Sequence, residues 1–145
     1  QEHPEQRAWL LANPDRIGPA VDDLLRLGAP VQGLSRTLTG ALELHGQRLP
    51  EGAKVHLLYA SANRDPRQYG DSAGQLDVTR DVQRHMSFTQ GPHFCIGAHL
   101  ARMMGRIGLE ELLLRFPEYR LDLAGAVRTR SAFVRGYDVL PFRAS

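Results

Sequence analysis

One cysteine lies in a loop rich in glycine and proline. Its position directly before a predicted helix indicates a reactive or ligand-binding thiol. Residues 88–97 read FTQGPHFCIG, and Cys95 is the single cysteine of the sequence. An apolar pattern with helical spacing begins directly after it. The macrodipole of a helix favours a thiolate at the helix N-terminus, where such a group acts as a nucleophile or as a metal ligand.

The residues around the cysteine indicate the shape of a bound partner. Gly91 and Gly97 carry no side chains, so a flat and bulky partner has room to approach the backbone on either side of Cys95. Phe88 and Phe94 supply apolar walls for the same space. The loop therefore predicts a site for a large apolar group next to a sulfur atom.

Two other interpretations of the cysteine stay open on the residues alone. Cys95 is also consistent with a small, buried apolar residue at the start of a helix. A zinc site built from His93, Cys95 and His99 is the second alternative. Structural zinc commonly takes four ligands with paired cysteines, so the spacing and the lone cysteine argue against it.

Short helices and strands must position this loop. The apolar spacing predicts helices over 4–11, 17–27 and 96–116. Alternating residues predict two paired strands, over 41–45 and 54–59, with a turn at 48–52 between them. A long irregular stretch is expected over 63–94, and short strands after Tyr119. The predicted fold class is mixed, mainly α with small β-sheets.

Length and composition narrow the class of protein. The chain has 145 residues, 42% of them hydrophobic, and a formal net charge of +2, which is consistent with one domain over 1–145. Acidic residues are interspersed among the basic ones, so no nucleic-acid partner is expected. No apolar run reaches the ~18 residues of a membrane helix, and no signal peptide is recognised. We therefore expect no membrane partner and a cytoplasmic location.

The cysteine loop resembles the haem-binding signature of the cytochrome P450 family. The family pattern is F-G-x-G-x-[HR]-x-C-x-G, often followed by x-x-L-A-R in bacterial members. The matching residues are Phe88, Gly91, His93, Cys95, Gly97 and the Leu100-Ala101-Arg102 tail. The sequence departs from the pattern at Thr89, where the family usually has glycine.

Two further segments resemble motifs of the same family, in the same order. Residues 22–26, DDLLR, resemble the E-x-x-R motif, and residues 62–66, ANRDP, match a second motif. The resemblance implies a buried ion triad of Asp23, Arg26 and Arg64 behind the haem. Asp23 is one methylene shorter than the family's glutamate, and a weak surface pair between Asp23 and Arg26 is the alternative interpretation.

The resemblance covers nearly the whole chain but only the C-terminal part of the family's fold. Residues 4–13, 17–27 and 96–116 resemble the family's J, K and L helices. Residues 46–55 resemble its first β hairpin, and residues 136–141 its closing strands. The family's N-terminal part and its I helix, which carries the oxygen-activating residues, resemble nothing in this sequence. We therefore expect a C-terminal haem-binding part of the P450 fold.

The resemblance also implies a cofactor and the residues that bind it. The cofactor is haem b, iron protoporphyrin IX, with the Cys95 thiolate as the axial ligand of the iron and the catalytic residue. His93 and Arg36 match positions that contact the haem propionates. The loop residues implied to lie around the haem are Phe88, Gly91 and Gly97.

The implied function is that of a monooxygenase, which inserts one oxygen atom from O2 into a small organic substrate. A ferredoxin- or flavodoxin-type donor would supply electrons, and four arginines are candidates for a basic docking surface: Arg80, Arg84, Arg102 and Arg106. Further implied partners are the missing N-terminal part or a second copy of the chain. The alternatives are a haem-binding module without oxygenation and a P450-like helper protein that stabilises a partner enzyme, although Cys95 argues against a helper.

Overall fold

Helices and small antiparallel sheets alternate along the chain in the computed structural model, which describes residues 2–144. The helices are α1 (Pro4–Ala12), α2 (Ile17–Gly28), α3 (Tyr59–Ala62), α4 (Pro66–Tyr69) and α5 (Ala98–Arg115). The strands are β1 (Leu34–Thr37), β2 (Leu42–Leu44), β3 (Gln47–Leu49), β4 (Lys54–Leu57), β5 (Tyr119–Leu121), β6 (Val127–Arg128), β7 (Tyr137–Val139) and β8 (Phe142–Ala144). Within residues 2–144, no helix combines the length and the hydropathy that crossing a bilayer requires.

The three predicted helices are confirmed to within two residues at each end. α2 is amphipathic, and its inner face buries Ile17, Ala20 and Val21. It ends at Ala29, whose φ of 36° lies in the left-handed region and whose N–H donates to the carbonyl oxygen of Leu25 at 2.9 Å. This left-handed residue closes the helix in the way that glycine usually does.

Close packing of α2 against α5 forms the centre of the molecule. Gly105 of α5 lies against Val21, and a Cβ atom at position 105 would come within 2.9 Å of the Val21 Cγ1 atom. The absence of a side chain at Gly105 therefore allows the two helices to approach each other. The buried apolar cluster beside this contact consists of Leu10, Ile17, Ala20, Val78 and Leu113. The cysteine loop precedes α5 directly, so this packing sets the position of the loop relative to α2.

The predicted strand pairing is wrong. β2 pairs with β3, and β1, which the sequence did not indicate, pairs with β4. The reason is a tight two-residue turn at His45 and Gly46, whose φ values of 49° and 74° are both positive, as a two-residue hairpin requires. This turn returns the chain immediately after β2, so β2 is not available to β4.

The apolar stripe of α5 faces outward rather than into the core. Five residues that share one face of the predicted helix are exposed by 44% or more: Ile96, Leu100, Met103, Ile107 and Leu114. The buried side of α5 is instead marked by Ala98 and Leu113. The apolar periodicity thus predicts the helix correctly but does not identify the face that packs against α2.

Candidate functional site

The backbone of the cysteine loop is folded back on itself, and the thiol is exposed. Cys95 lies between a 3-10 turn at Gly91–His93 and the first turn of α5. Its amide N–H donates to the carbonyl oxygen of Phe88 at 2.9 Å, whereas its side chain is open to the surroundings. The interpretation of Cys95 as a buried apolar residue is therefore wrong. The loop presents a sulfur atom from a fixed backbone position.

The aromatic ring of Phe88 anchors this loop. Phe88 is 7% exposed, and its ring makes an edge contact with Phe94, with 6.4 Å between the ring centroids. The centroid of the His85 ring lies 5.3 Å from that of Phe88, and the guanidinium carbon of Arg102 lies 4.8 Å from the Phe88 centroid. Phe88 thus contacts Cys95 through its backbone carbonyl group and contacts His85 and Arg102 through its ring.

Asp22 links α2, the segment before the loop and α5. Its Oδ1 atom accepts a hydrogen bond from Arg102 Nε at 2.7 Å and lies 3.1 Å from Nε2 of His85. The backbone N–H of Ser87 donates to Nδ1 of His85, so the neutral ring carries its proton on Nε2 and donates it to Asp22. Burial raises the pKa of Asp22, but the hydrogen bonds from His85 and Arg102, together with the charge of Arg102, hold it below its ordinary value of 3.8.

Asp23 and Arg26 form an ion pair that is completely buried. Both side chains have 0% exposure, and Arg26 Nε donates to Asp23 Oδ1 at 2.6 Å. The surface-pair alternative is therefore wrong. The other carboxylate oxygen of Asp23 accepts from the backbone N–H of Asp77 at 2.9 Å. The aspartate, although shorter than the family's glutamate, thus meets two donors at ordinary distances.

The remaining nitrogens of Arg26 hold three backbone segments together. They donate to the carbonyl oxygens of Asn63, Ala73 and Gln75, at 2.7, 2.6 and 3.1 Å. The guanidinium group also lies over the ring of Tyr69, with 4.9 Å between its carbon and the centroid. One buried arginine therefore fixes the long irregular stretch, which carries the cysteine loop at its end, against α2.

Arg80, rather than Arg64, is the second arginine beside Asp23, which corrects the expected triad. Nε of Arg80 lies 3.2 Å from Asp23 Oδ1, and its other nitrogens donate to carbonyl oxygens of Tyr69 and Ser72. Arg64 instead donates to carbonyl oxygens of Leu27 and Ala60. The physical reason is that the last carbonyls of α2 lack helical partners and attract the nearest cation. No spacing rule in the sequence marks Arg80 for its role.

Three of the four arginines expected to form a basic docking surface are turned inward or paired with acidic side chains. The side chain of Arg80 is only 15% exposed because it turns towards Asp23. Arg102 is paired with Asp22, and Arg106 lies 3.8 Å from Glu110. A surface of four freely exposed arginines is therefore not what the fold presents.

The candidate propionate ligands lie in different elements. His93 is exposed at the end of the 3-10 turn, two residues before Cys95. Arg36 is half-buried on β1, opposite Val55, and its Nη1 atom donates to the carbonyl oxygen of Ser35 at 3.1 Å. The described contacts do not join Arg36 to the cysteine loop.

The zinc alternative finds no support in the arrangement of side chains. Across residues 2–144, no group of three or more histidine, cysteine, aspartate or glutamate side chains is placed to hold a metal ion. His93, Cys95 and His99 therefore do not form a cage. Any metal at Cys95 needs ligands that the described residues do not supply.

Thr89 has a backbone conformation that is almost restricted to glycine. Its φ and ψ are 58° and −163°, a region that costs a residue with a side chain about 1–3 kcal/mol. Its hydroxyl group donates to the carbonyl oxygen of His93 at 2.8 Å and so recovers part of this cost. The departure from the family pattern therefore coincides with the strained position of the loop.

We expect Thr89→Gly to leave the protein about 1 kcal/mol more stable to unfolding than the same substitution at a position without backbone strain. Relief of about 1–3 kcal/mol of strain exceeds the ~0.5–1.5 kcal/mol contributed by the lost hydrogen bond. Thermal unfolding followed by circular dichroism should show a midpoint roughly 2–4 °C above that of Thr39→Gly. The matched control is Thr39→Gly, at an exposed position without positive φ, which should lower the midpoint slightly. Equal midpoint changes in the two variants would contradict the strain argument.

Comparison with protein families agrees with this geometry. The family model described as Cytochrome P450 matches residues 20–120, so the chain belongs to the cytochrome P450 family. Its fold is the C-terminal portion of the P450 fold, which confirms the expected fold class.

Individual relatives support the same assignment. "Cytochrome P450 130" of Mycobacterium tuberculosis is 46% identical over 140 residues, which are 97% of this chain and 35% of that protein. "6-deoxyerythronolide B hydroxylase" of Saccharopolyspora erythraea is 39% identical over 143 residues, again 97% of this chain and 35% of the relative. The chain thus spans about a third of the length of these relatives.

Solved structures give the same result for the fold. P450BioI in complex with an acyl carrier protein ligated to hexadec-9Z-enoic acid has a TM-score of 0.91 and 34% identity, over 99% of this chain and 37% of that one. The hydroxylase HmtN of himastatin biosynthesis has a TM-score of 0.92 and 36% identity, over 99% of this chain and 39% of its own. The helices and small sheets described above therefore have close counterparts in P450 structures.

Proposed function

We propose that the protein is a haem-thiolate monooxygenase, to which this chain contributes the haem-binding part. The observation that carries the proposal is the exposed thiol of Cys95 in a loop whose backbone is tied to Phe88. Haem, when bound, supplies the activation of O2 that allows one oxygen atom to be inserted into a small organic substrate. The protein residues supply ligation and orientation.

The residues around Cys95 fit a haem. A thiolate is the soft, anionic donor that a P450-type iron takes. Next to it, Phe94 and Ile96 are exposed apolar side chains, which suit the face of a large apolar ring. Gly91 has a φ of 74° and turns the chain at the rim of the loop without a side chain. Gly97 lies beside the sulfur, since an added Cβ atom there would be in ordinary van der Waals contact with it at 3.8 Å.

Each loop residue then has a defined task. Cys95 ligates the iron through sulfur, and Phe88 holds the Cys95 backbone in place through its carbonyl group. His93, exposed two residues before the ligand, is proposed to donate a hydrogen bond to one haem propionate. Arg36, on β1, is proposed to pair with a propionate as a cation. The ion pair of Asp23 and Arg26 stays behind the site and stabilises the backbone that carries the loop.

The proposed partners follow from the same function. Electrons are proposed to come from a ferredoxin- or flavodoxin-type protein, for which Arg84 and the partly exposed Arg102 offer positive charge. A cytoplasmic location is proposed because an exposed, unpaired thiol is typical of a reducing compartment.

A two-stage experiment tests the proposed function. The natural protein, at the full length that its gene encodes, is purified with haem, reduced and exposed to carbon monoxide. A strongly red-shifted Soret band is expected and would support thiolate ligation. The protein is then supplied with a surrogate ferredoxin system, ¹⁸O2 and either hexadec-9Z-enoic acid or 6-deoxyerythronolide B, the compounds named for two relatives. Product that carries one ¹⁸O atom is expected from an acceptable substrate.

The outcomes separate the proposal from its alternatives. A red-shifted band without oxygenated product from either compound, even when a wider panel of organic substrates is tried, would favour a haem-binding module without oxygenation. The absence of the band would contradict the monooxygenase proposal. Capture of the same partner enzyme by the parent protein and by Cys95→Ala would then favour a helper protein.

A further inference from the structure

We propose that Asp22, His85 and Arg102 form a positioning cluster that holds the cysteine loop at the distance and orientation needed for thiolate ligation. The three side chains come from α2, from the irregular stretch and from α5, and Asp22 lies 63 positions from His85 and 80 from Arg102 in sequence. The inference rests on the proposed haem-thiolate function and extends it to residues that do not touch the haem.

Two members of the cluster contact the Phe88 ring. The ring of His85 is tilted by 48° against the Phe88 ring, and the Arg102 guanidinium group lies over the Phe88 ring. Asp22 holds both of these groups through one carboxylate oxygen. Because Phe88 in turn accepts the amide N–H of Cys95, the cluster restricts the backbone from which the sulfur extends.

Burial and charge show that the cluster is more than an ordinary surface pair. The His85 side chain is 1% exposed, and Asp22 is 23% exposed, so the pair is largely shielded from water. Asp22 stays ionised at neutral pH because His85 and Arg102 lower its pKa. A half-buried, charged acceptor between two donors resists rearrangement, since each lost contact leaves a poorly solvated polar group without its partner.

Independent contacts keep the backbone of this segment folded when the cluster is altered. Ser87 donates through its hydroxyl group to the carbonyl oxygen of Leu25 at 2.7 Å. The Asn63 side chain accepts from the Met86 N–H at 2.6 Å and donates to the Ser87 hydroxyl at 2.9 Å. Substitution of His85 should therefore release the Phe88 side chain without unfolding residues 86–88.

The test compares two substitutions of His85 in the natural, full-length protein loaded with haem. His85→Leu removes the donor to Asp22, whereas the amide nitrogen of His85→Gln reaches the place of Nε2 and restores it. Loss of the donor is expected to weaken haem retention roughly 10- to 100-fold, the usual effect of losing support behind a metal ligand. The share of the red-shifted Soret band in the reduced carbon monoxide complex should fall in parallel, and His85→Gln should recover most of it.

Two further variants separate positioning from folding. Asp22→Asn is isosteric and keeps the oxygen that accepts both hydrogen bonds, so it removes the charge alone and should lower the red-shifted share to an intermediate value. Arg115→Leu, on the same helix as Arg102 but paired with Glu111 and 69% exposed, should leave the spectrum unchanged. If His85→Leu does not fold, the spectrum of the isosteric Asp22→Asn variant still tests the proposal.

The outcomes are distinguishable from failure of the proposed function. A parent protein without the red-shifted band contradicts haem-thiolate ligation itself, and the positioning role falls with it. A parent with the band, and His85→Leu and Asp22→Asn variants with the same band and the same haem retention, would overturn the cluster alone. Loss in His85→Leu with no recovery in His85→Gln would also overturn it, because the hydrogen bond to Asp22 would then not be what matters.

Discussion

Replacement of Arg26 with alanine is expected to lower the free energy of unfolding by about 3–5 kcal/mol. The substitution removes the arginine that donates to the buried carboxylate of Asp23, which has 0% exposure, and leaves Arg80, 3.2 Å away, as the cation beside it. Breaking a buried pair in this way is strongly destabilising. Three carbonyl oxygens in the irregular stretch would lose their donor at the same time. Denaturation in urea, followed by circular dichroism, measures this loss.

The size of the expected loss matters because native domains are stable by only about 5–15 kcal/mol. The matched control is Arg67→Ala, since Arg67 also pairs with an aspartate, Asp65, but is 88% exposed. A solvent-exposed pair of this kind contributes little to stability, so Arg67→Ala should leave the free energy of unfolding almost unchanged. Similar losses in the two variants would show that the buried pair does not hold the irregular stretch against α2.

The helices and the cysteine loop were predictable because their signals are local. The proline at position 14 marks the end of α1, and the helical spacing of apolar residues marks α2. Both signals are visible in a short stretch of sequence. The signature around Cys95 is also continuous in sequence. The observed bounds of these helices therefore differ little from the predicted ones.

The strand pairing was not predictable, because it depends on a turn that the sequence does not mark clearly. His45 adopts a positive φ of 49°, a conformation more usual for asparagine or glycine. The sequence therefore marks the two-residue turn more weakly than the proline and glycine of residues 50–52 mark theirs. The sequence signal of β1 is weak for a related reason. Its partner β4 lies about twenty residues away, and a four-residue strand has little pattern of its own.

The arginine that joins Asp23 and Arg26 could not be predicted either, because its contact also depends on the path of the backbone. Arg64 stands in a recognisable motif, whereas Arg80 is one of several arginines in a stretch without periodicity. Only the path of the backbone brings Arg80 to 3.2 Å from Asp23 and leaves Arg64 at the end of α2. Likewise, the spacing of apolar residues on α5 does not reveal that the stripe from Leu100 to Leu114 faces away from α2.

Replacement of Cys95 with serine is expected to abolish the red-shifted Soret band of the reduced carbon monoxide complex. A serine hydroxyl is a hard donor that stays protonated at neutral pH, so it cannot replace a thiolate on the iron. The fold should survive, because Cys95 contacts Phe88 through its backbone amide and its side chain is exposed. Absorption spectra and thermal unfolding of the haem-loaded protein measure the two effects separately.

Histidine variants provide the matched controls for this ligand. His93 and His99 are exposed near Cys95 and are the neighbouring side chains able to bind iron. His99→Ala should keep the red-shifted band, and His93→Ala should keep it while haem is retained less strongly, because a propionate contact is lost. Surface substitutions of this kind change stability by about 0.5 kcal/mol or less, so the spectra can be compared at equal folding. A band that survives Cys95→Ser would mean that Cys95 is not the source of the thiolate ligation, and a band lost in His99→Ala would show that ligation depends on more than the cysteine.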